Sequence, residues 1–297
     1  MLRNGQWVEN WQPIQQKSED GDFIRQSSGF RDGVVANAPA DRYHLYVAYI
    51  CPWACRTLML RKLKGLEHAI SVSVVNPVLT EQGWAFAQPE ENMQKNYMHQ
   101  LYSHSDSRYT GRATVPVLWD KYEQKIVNNE SADIIKILND DFTHLAKNDI
   151  NLRPSHLAGE MASINQYIYD KINNGVYRAG FASSQQAYER GYQDVFEGLY
   201  TMEQKLANQT YLLGEHLTES DIRLFVTLIR FDLAYYSIFK CNKKRISDYN
   251  KLHAYMHRIY QLPGIKQTVN AEHIKQGYYS IKTLNPSGIV PLGPDSI

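Results

Sequence analysis

The run Tyr46-Val47-Ala48-Tyr49-Ile50-Cys51-Pro52-Trp53-Ala54-Cys55-Arg56 constrains the fold more than any other stretch: a β-patterned segment stops at a thiol and a helix starts at the next residue. Proline is favoured at the first helical position because its missing N–H has no intrahelical partner to lose, so Pro52 puts Cys51 at or beside the N-cap. There the thiol faces unpaired backbone N–H groups and the positive end of the helix dipole, and both favour thiolate. An arbitrary cysteine is more often inert core. The Cys-Pro context reverses that expectation and marks Cys51 as a nucleophile.

The flanking pattern extends this junction into a βαβ unit. Residues 43 to 49 read as a strand, residues 52 to 64 as a helix ending near Gly65, and residues 71 to 75 as a second strand. A long stretch from Asn76 to Gly111 then reads as irregular; such loops are usually functional or disordered, and Trp84, Phe86 and Tyr109 favour function here. Ala113-Thr114-Val115-Pro116-Val117-Leu118-Trp119-Asp120 and Lys125-Ile126-Val127-Asn128-Asn129 follow as strands, with Pro116 at a strand entrance either demoting that strand or marking a special turn, because proline cannot donate to a sheet ladder. Glu130-Ser131 then leads into a helix through residue 138.

Beyond about Pro154 the apolar spacing becomes helical, as in Phe196-Leu199-Tyr200-Met202-Leu206, and no further strand is expected. Leu217-Thr218-Glu219-Ser220-Asp221-Ile222 carries a helix start with Thr218 as N-cap and Asp221 closing a capping box, a purely structural feature. The organisation is therefore an extension over residues 1–40 without sustained periodicity, a mixed α/β domain over 41–145 with its long loop at 76–111, an all-helical domain over 152–284, and an irregular tail over 285–297.

Composition narrows the function. Lys+Arg 32 against Asp+Glu 31 gives a net charge of +1, which removes the electrostatic case for nucleic acid or an anionic membrane and points to a small-molecule partner. The 3 cysteines, at Cys51, Cys55 and Cys241, argue against a disulfide framework and for a reducing compartment. The opening residues lack an apolar signal core and no later stretch is apolar enough to cross a bilayer, so a cytoplasmic protein is expected. The 10 histidines carry no HExxH or paired Cys/His spacing, and no metal is expected. The 21 tyrosines suit aromatic-lined, partly wet surfaces.

Taken together, Cys-Pro at the helix start, the Val115-Pro116 strand entrance, Glu130-Ser131 at the next helix and Thr-x-x-Asp in the helical half resemble a glutathione transferase. Tyr49-Ile50-Cys51-Pro52-Trp53-Ala54, Gly83-Trp84, Gly111 to Asp120, Asn129-Glu130-Ser131, Asn174 to Phe181 and Arg230-Phe231-Asp232 resemble, more closely, the glutathionyl-hydroquinone reductases, also called Xi-class glutathione transferases. The resemblance spans nearly the whole chain. It implies a thioredoxin-like domain followed by an all-helical one, a homodimer, no bound cofactor, and glutathione as co-substrate in removing a glutathionyl group from a hydroquinone. Carried over by position, Cys51 is the nucleophile and Tyr177 a proton donor or acceptor. Trp84, Arg112, Ala113, Thr114, Val115, Glu130 and Ser131 are glutathione-binding positions. Tyr235 and Tyr278 are tyrosines that lower the thiol pKa, each with a neighbour, Tyr236 or Tyr279, that a one-residue slip would substitute.

Chemistry supports the same residues. Cleaving an aryl thioether at glutathione sulfur needs a soft nucleophile, which a thiolate is, and the departing aryl group needs a proton. Position 54 is alanine where a dithiol oxidoreductase carries its resolving cysteine, so the second thiol must come from outside. Cys55 is one helical turn from Cys51 but suits packing. Extended backbone at Val115 can pair with a peptide in β fashion, and a cis Val115-Pro116 bond would present it in a turn. Ser131 at a helix N-terminus can receive a carboxylate, Glu130 can pair with the ligand ammonium, and Arg112 can meet a ligand carboxylate. Asn173-Asn174-Gly175 suggests a loop or helix break beside Tyr177, freeing its hydroxyl to reach a cleft. Two alternatives stay open: a general Cys-type thiol transferase or dehydroascorbate reductase, and a non-catalytic binding subunit with the same fold.

Overall fold

The computed structural model describes residues 1–8 and 16–294 and divides into two compact units, one of residues 1–14 and 26–150, the other of residues 15–25 and 151–297. The N-terminal extension is thus shared between them. Its first part forms a hairpin of β1 (Leu2–Arg3) and β2 (Gln6–Trp7) in the first unit, and a second hairpin, β3 (Gln16–Lys17) and β4 (Phe23–Ile24), belongs to the second unit. Neither hairpin is foreshadowed by the sequence pattern, since strands of two residues are too short to show a period.

The first unit is built on a four-stranded sheet of β5 (Tyr43–Val47), β6 (Ile70–Val74), β7 (Val117–Asp120) and β8 (Lys125–Asn128), in the order β6-β5-β7-β8. β5 and β6 are parallel, with Leu45 opposite Val72, and α1 (Pro52–Leu63) makes the crossover. β7 runs antiparallel to both β5 and β8. Every residue of β5 is buried, the polar His44 included, which is why the strand shows no alternation of apolar and polar positions. α1 stops where Gly65 takes φ 66°, a left-handed turn that glycine adopts without a Cβ clash. α3 (Ser131–Asp140) packs on α1 and buries Ile134, Ile135, Ile137 and Leu138.

The stretch from Asn76 to Gly111, expected to be irregular, contains a helix, α2 (Met98–Ser105), which packs on β8. Tyr97 and Gln100 close a reciprocal cap at its start, and Met98, Leu101 and Tyr102 bury one face with helical spacing. At eight residues its period is too brief to stand out against the polar residues around it. The remainder of the loop is tied down by Glu90, 3% exposed, whose carboxylate accepts the Tyr46 hydroxyl at 2.7 Å and the Asn92 backbone N–H at 2.9 Å.

The second unit is helical apart from its hairpin: α4 (Ala158–Ile168), α5 (Gly175–Gly180), α6 (Gln185–Lys205), α7 (Glu219–Arg230), α8 (Asn250–Tyr260) and α9 (Ala271–Tyr279). Its core is aromatic and aliphatic, with Phe225, Phe231, Tyr235, Phe239 and Tyr255 fully buried. α7 starts at the expected capping box, where the Asp221 carboxylate accepts Thr218 N–H at 2.8 Å and Thr218 Oγ1 at 2.9 Å. The same buried carboxylate also accepts the Leu212 N–H and the Tyr255 hydroxyl, both at 2.8 Å, so this cap doubles as a core crosslink. Among the described residues no helix is long and apolar enough to cross a membrane.

Candidate active site

In the first unit, Cys51 is the N-cap of α1, with φ −76° and ψ 118°, and Pro52 follows as the first helical residue. No acidic residue occupies the first turn, so nothing there offsets the positive helix end that favours thiolate. The Cys51 thiol donates to the Val115 carbonyl at 3.3 Å, which places the nucleophile against the Val-Pro turn. The Val115-Pro116 bond is cis, and β7 begins directly after it. Cys51 is half-buried, whereas Cys55 and Cys241 are fully enclosed, and burial pushes the Cys241 thiol well above its usual range. Of the three, Cys51 has the access that reaction demands.

The turn around Thr114 and Val115 is fixed by a residue that the sequence did not single out. The Tyr102 hydroxyl, carried in by α2, donates to the Thr114 carbonyl at 2.9 Å and accepts the Thr114 N–H at 3.2 Å and the Asn129 amide at 2.9 Å. Burial holds this phenol in its neutral form, as a hub that both gives and receives hydrogen bonds. Among 21 tyrosines nothing in the sequence marks Tyr102, although Asn129 stood beside the Glu-Ser pair and was a readable signal. Arg112 precedes the turn. Its backbone N–H donates to Gln26 at 3.2 Å and its carbonyl accepts the Tyr109 hydroxyl at 3.0 Å, with Ala113 half-buried beside it.

Glu130 is the N-cap of α3, and its carboxylate accepts the Ala132 N–H at 3.0 Å and the Ser28 hydroxyl at 2.9 Å. Ser131, the first residue of α3, is 3% exposed. Glu130 therefore has a capping role of its own, and Ser28, from the extension, is a further residue that sequence reasoning missed. Trp84 is half-buried in the long loop, where its carbonyl accepts the Met98 N–H at 2.9 Å. Next to it Gly83 takes φ 77°, and an added Cβ would stand 3.2 Å from the Trp7 ring, so the loop and the first hairpin meet at a position that requires glycine.

The second unit assembles the three tyrosines. Tyr177 on α5 shares a hydrogen bond of 2.6 Å with the Tyr278 hydroxyl on α9, and Tyr278 shares one of 2.8 Å with Tyr235. Tyr235 lies in the π-helical turn Phe231–Tyr235 that continues α7. Neighbouring Tyr236 and Tyr279 are outside this chain: Tyr236 stacks against Arg245, with the guanidinium 4.9 Å from its ring, and Tyr279 lines a groove with Asp232 and His253. Tyr235 and Tyr278 are buried and desolvation raises both well above the usual phenol range, so they stand as neutral hydroxyls at physiological pH. Tyr177, half-buried, is the outer member.

The expected break before Tyr177 takes a particular form: α4 ends at Ile168, a π-helical turn follows, and Asn174 is a turn residue before α5 starts at Gly175. Residues Tyr169–Asn173 form a π-helical turn between α4 and α5, and from its end the Asn173 amide donates to the Arg223 carbonyl at 2.8 Å and to Thr227 at 2.7 Å on α7. Among the described residues no group of three or more His, Cys, Asp or Glu side chains gathers to hold a metal ion.

Comparison with known proteins converges on one family. Residues 50–141 match the family model for the glutathione S-transferase N-terminal domain and residues 185–258 match that for the C-terminal domain. The chain is 48% identical to glutathionyl-hydroquinone reductase YqjG of Escherichia coli, over 99% of this chain and 94% of that protein. The glutathione-bound structure of YqjG superposes with a TM-score of 0.87 at 46% identity, covering 100% of this chain and 96% of that one. The glutathione transferase Xi of Phanerochaete chrysosporium gives a TM-score of 0.92 at 44% identity, covering 94% of this chain and 95% of that one. Full-length identity at this level, together with a cysteine N-cap and the thioredoxin-like and helical units in the same order, shows that the chain belongs to the Xi-class glutathione transferases, the family of the glutathionyl-hydroquinone reductases.

Proposed function

We propose that this protein reduces glutathionyl-hydroquinones to hydroquinones with glutathione as reductant. The observation that carries the reading is Cys51 at the N-cap of α1 in a chain whose 54th residue is alanine. Such a thiol can form a mixed disulfide but has no neighbour at the resolving position to displace it, so turnover depends on an external thiol. The reductase name of its 48% identical relative supplies the substrate class.

In the proposed sequence the Cys51 thiolate attacks the glutathionyl sulfur of the substrate. The sulfur–carbon bond breaks, its electron pair goes to the ring carbon, and that carbon takes the proton of the Tyr177 hydroxyl. Free hydroquinone leaves, with Cys51 bonded to glutathione sulfur. A second glutathione, as thiolate, attacks this disulfide and releases glutathione disulfide and the Cys51 thiolate; its proton restores Tyr177. The balance is one glutathionyl-hydroquinone and one glutathione to one hydroquinone and one glutathione disulfide. Tyr278 and Tyr235 donate along the chain and stabilise negative charge at Tyr177 and at the thiolate.

Val115 supplies backbone for the glutathione peptide, with Thr114, Ala113 and Arg112 beside it. Glu130 and Ser131 receive the γ-glutamyl end, and Trp84 closes over it. We also take the working form to be a homodimer acting in a reducing cytoplasm, where glutathione is abundant; light scattering tests the first point. For the activity itself, a glutathionylated hydroquinone is supplied with glutathione, beside a halogenated nitrobenzene conjugation assay. Release of hydroquinone is the expected result, and conjugation without that release overturns the reading.

A further inference from the structure

Arg25 follows β4 of the second hairpin, and its guanidinium carbon lies 4.8 Å from the centroid of the Tyr177 ring and 5.2 Å from that of Phe23. The two rings are stacked at 6.1 Å, so one cation serves both. Arg25 is held in this place from several sides. Its Nε–H donates to the Asn174 side-chain carbonyl at 3.1 Å, one residue before α5 begins. The hairpin behind it is fastened to α6 by the Arg190–Asp22 ion pair at 2.6 Å, and to the two residues just before that helix by Ser183 N–H to the Gly21 carbonyl at 3.0 Å and the Ser184 hydroxyl to the Asp20 carbonyl at 2.6 Å. Asn174 is a neutral acceptor, so this bond orients the guanidinium without cancelling its charge.

We propose that Arg25 is a positioning residue for Tyr177, fixing its ring and stabilising the phenolate formed when Tyr177 gives up its proton. The physical reason is the ring quadrupole: a cation over the face of a phenol is attracted to it, and more strongly once the ring carries the charge of the phenolate. An apolar wall could hold the ring in place, and Phe23, Phe181 and Phe239 already provide one, with centroids 6.1, 6.1 and 5.3 Å from that of Tyr177. A cation adds what they cannot, a preference for the ionised product of proton transfer. Tyr278, Tyr235 and the buried Arg230 are ionisable groups along the same chain, and the Arg230 charge favours ionisation of the two inner tyrosines but is outweighed there by their burial. Tyr177, half-buried under Arg25, is thereby the member best placed to carry charge. The hairpin of the N-terminal extension is on this view a part of the acid–base apparatus.

The inference rests on the role of Tyr177 proposed above, and its test separates the two. With 3-fluorotyrosine placed at position 177, ¹⁹F resonance position against pH reports ionisation of that one ring. Arg25→Gln is expected to raise the midpoint by about half to one and a half pH units, and Arg25→Lys to keep most of the wild-type value. In single-turnover mixing with a glutathionylated hydroquinone, Arg25→Gln should slow hydroquinone release about 3- to 30-fold while the glutathione KM stays put, with Arg25→Lys restoring most of the rate. An unmoved midpoint overturns the proposal, and a moved midpoint with an unchanged release rate overturns its place in the reaction. If Tyr177→Phe releases hydroquinone at the wild-type rate, the acid assignment fails, while the ¹⁹F midpoint still judges the Arg25 contact. Should Arg25→Gln fail to fold, Asn174→Ala keeps the charge and removes its anchor; a raised midpoint there supports the proposal and an unmoved one overturns it.

Discussion

At the scale of single residues, the chemistry turns on how each polar atom is held. The Cys51 thiol lies at a helix N-terminus and also donates to the Val115 carbonyl, two influences of opposite sense: the helix end favours the thiolate, the carbonyl favours the thiol. A peptide that engages the Val115 backbone competes for that carbonyl. Cys51→Ala and Cys51→Ser are both expected to abolish turnover with the fold intact, and mass spectrometry of the wild type given substrate without free glutathione should find the glutathione adduct on Cys51. An adduct on Cys55 or Cys241 would refute the nucleophile. Tyr102 acts one step further out, since its hydroxyl makes three of the bonds that hold Thr114 and Asn129. Tyr102→Phe strands those partners in a buried place, at a cost of about 1–3 kcal/mol, and loosens the glutathione-binding turn. Its signature should be a glutathione KM raised about tenfold or less with kcat near wild type, because ground state and transition state lose the same contact. A fall in kcat alone would place Tyr102 in the chemistry instead.

At the scale of elements, helix starts carry both stability and binding. Glu130 caps α3 and leans on Ser28, so Glu130→Ala removes a cap of about 1 kcal/mol together with the carboxylate proposed for the ligand ammonium. Glu130→Gln keeps an acceptor for the Ala132 N–H and loses the charge. A glutathione KM that rises in both variants, with stability lost only in the first, is the expected pattern from steady-state kinetics and thermal unfolding. Equal KM values in wild type and Glu130→Gln would remove the ammonium pairing. The start of α7 is purely structural and more costly to disturb. Asp221 is fully buried and accepts from Thr218 twice, from Leu212 and from Tyr255, so Asp221→Ala leaves several enclosed donors without an acceptor. Urea unfolding should report a loss of roughly 3 kcal/mol or more, and a change below about 1 kcal/mol would mean that the cap is dispensable.

At the scale of the whole molecule, one buried side chain sets an acid limit. His44 in β5 is 3% exposed, bonded through Nδ1 to Ser71 Oγ at 2.7 Å, and burial brings its pKa down from 6.5 to about 4, aided by Lys121 and Arg61. Below pH 6.5 the unfolded chain takes up a proton that the folded sheet refuses, so this group's contribution is full above that pH and shrinks until about pH 4. The loss is about 3 kcal/mol across the window. Unfolding free energies at pH 7, 5.5 and 4.5 should fall accordingly, and His44→Gln should flatten the trend; an equal slope in both proteins would contradict it. The βαβ unit, the cysteine N-cap, the Thr218–Asp221 cap and the helical second half were legible in the sequence because each is set locally, by proline's missing N–H, by side chains reaching their own backbone, or by apolar period. α2, the two extension hairpins and the π-helical turn before Tyr177 were not, since short elements lack a period and are held by distant partners such as Asn173 with Thr227. The family resemblance singled out Tyr177, Tyr235 and Tyr278 among 21 tyrosines, but that the three join in one hydrogen-bonded chain, and that Arg25 stands over one of them, only tertiary structure could decide. Their hydroxyls come from elements separated by 43 to 101 residues, and no local rule relates side chains so far apart in sequence.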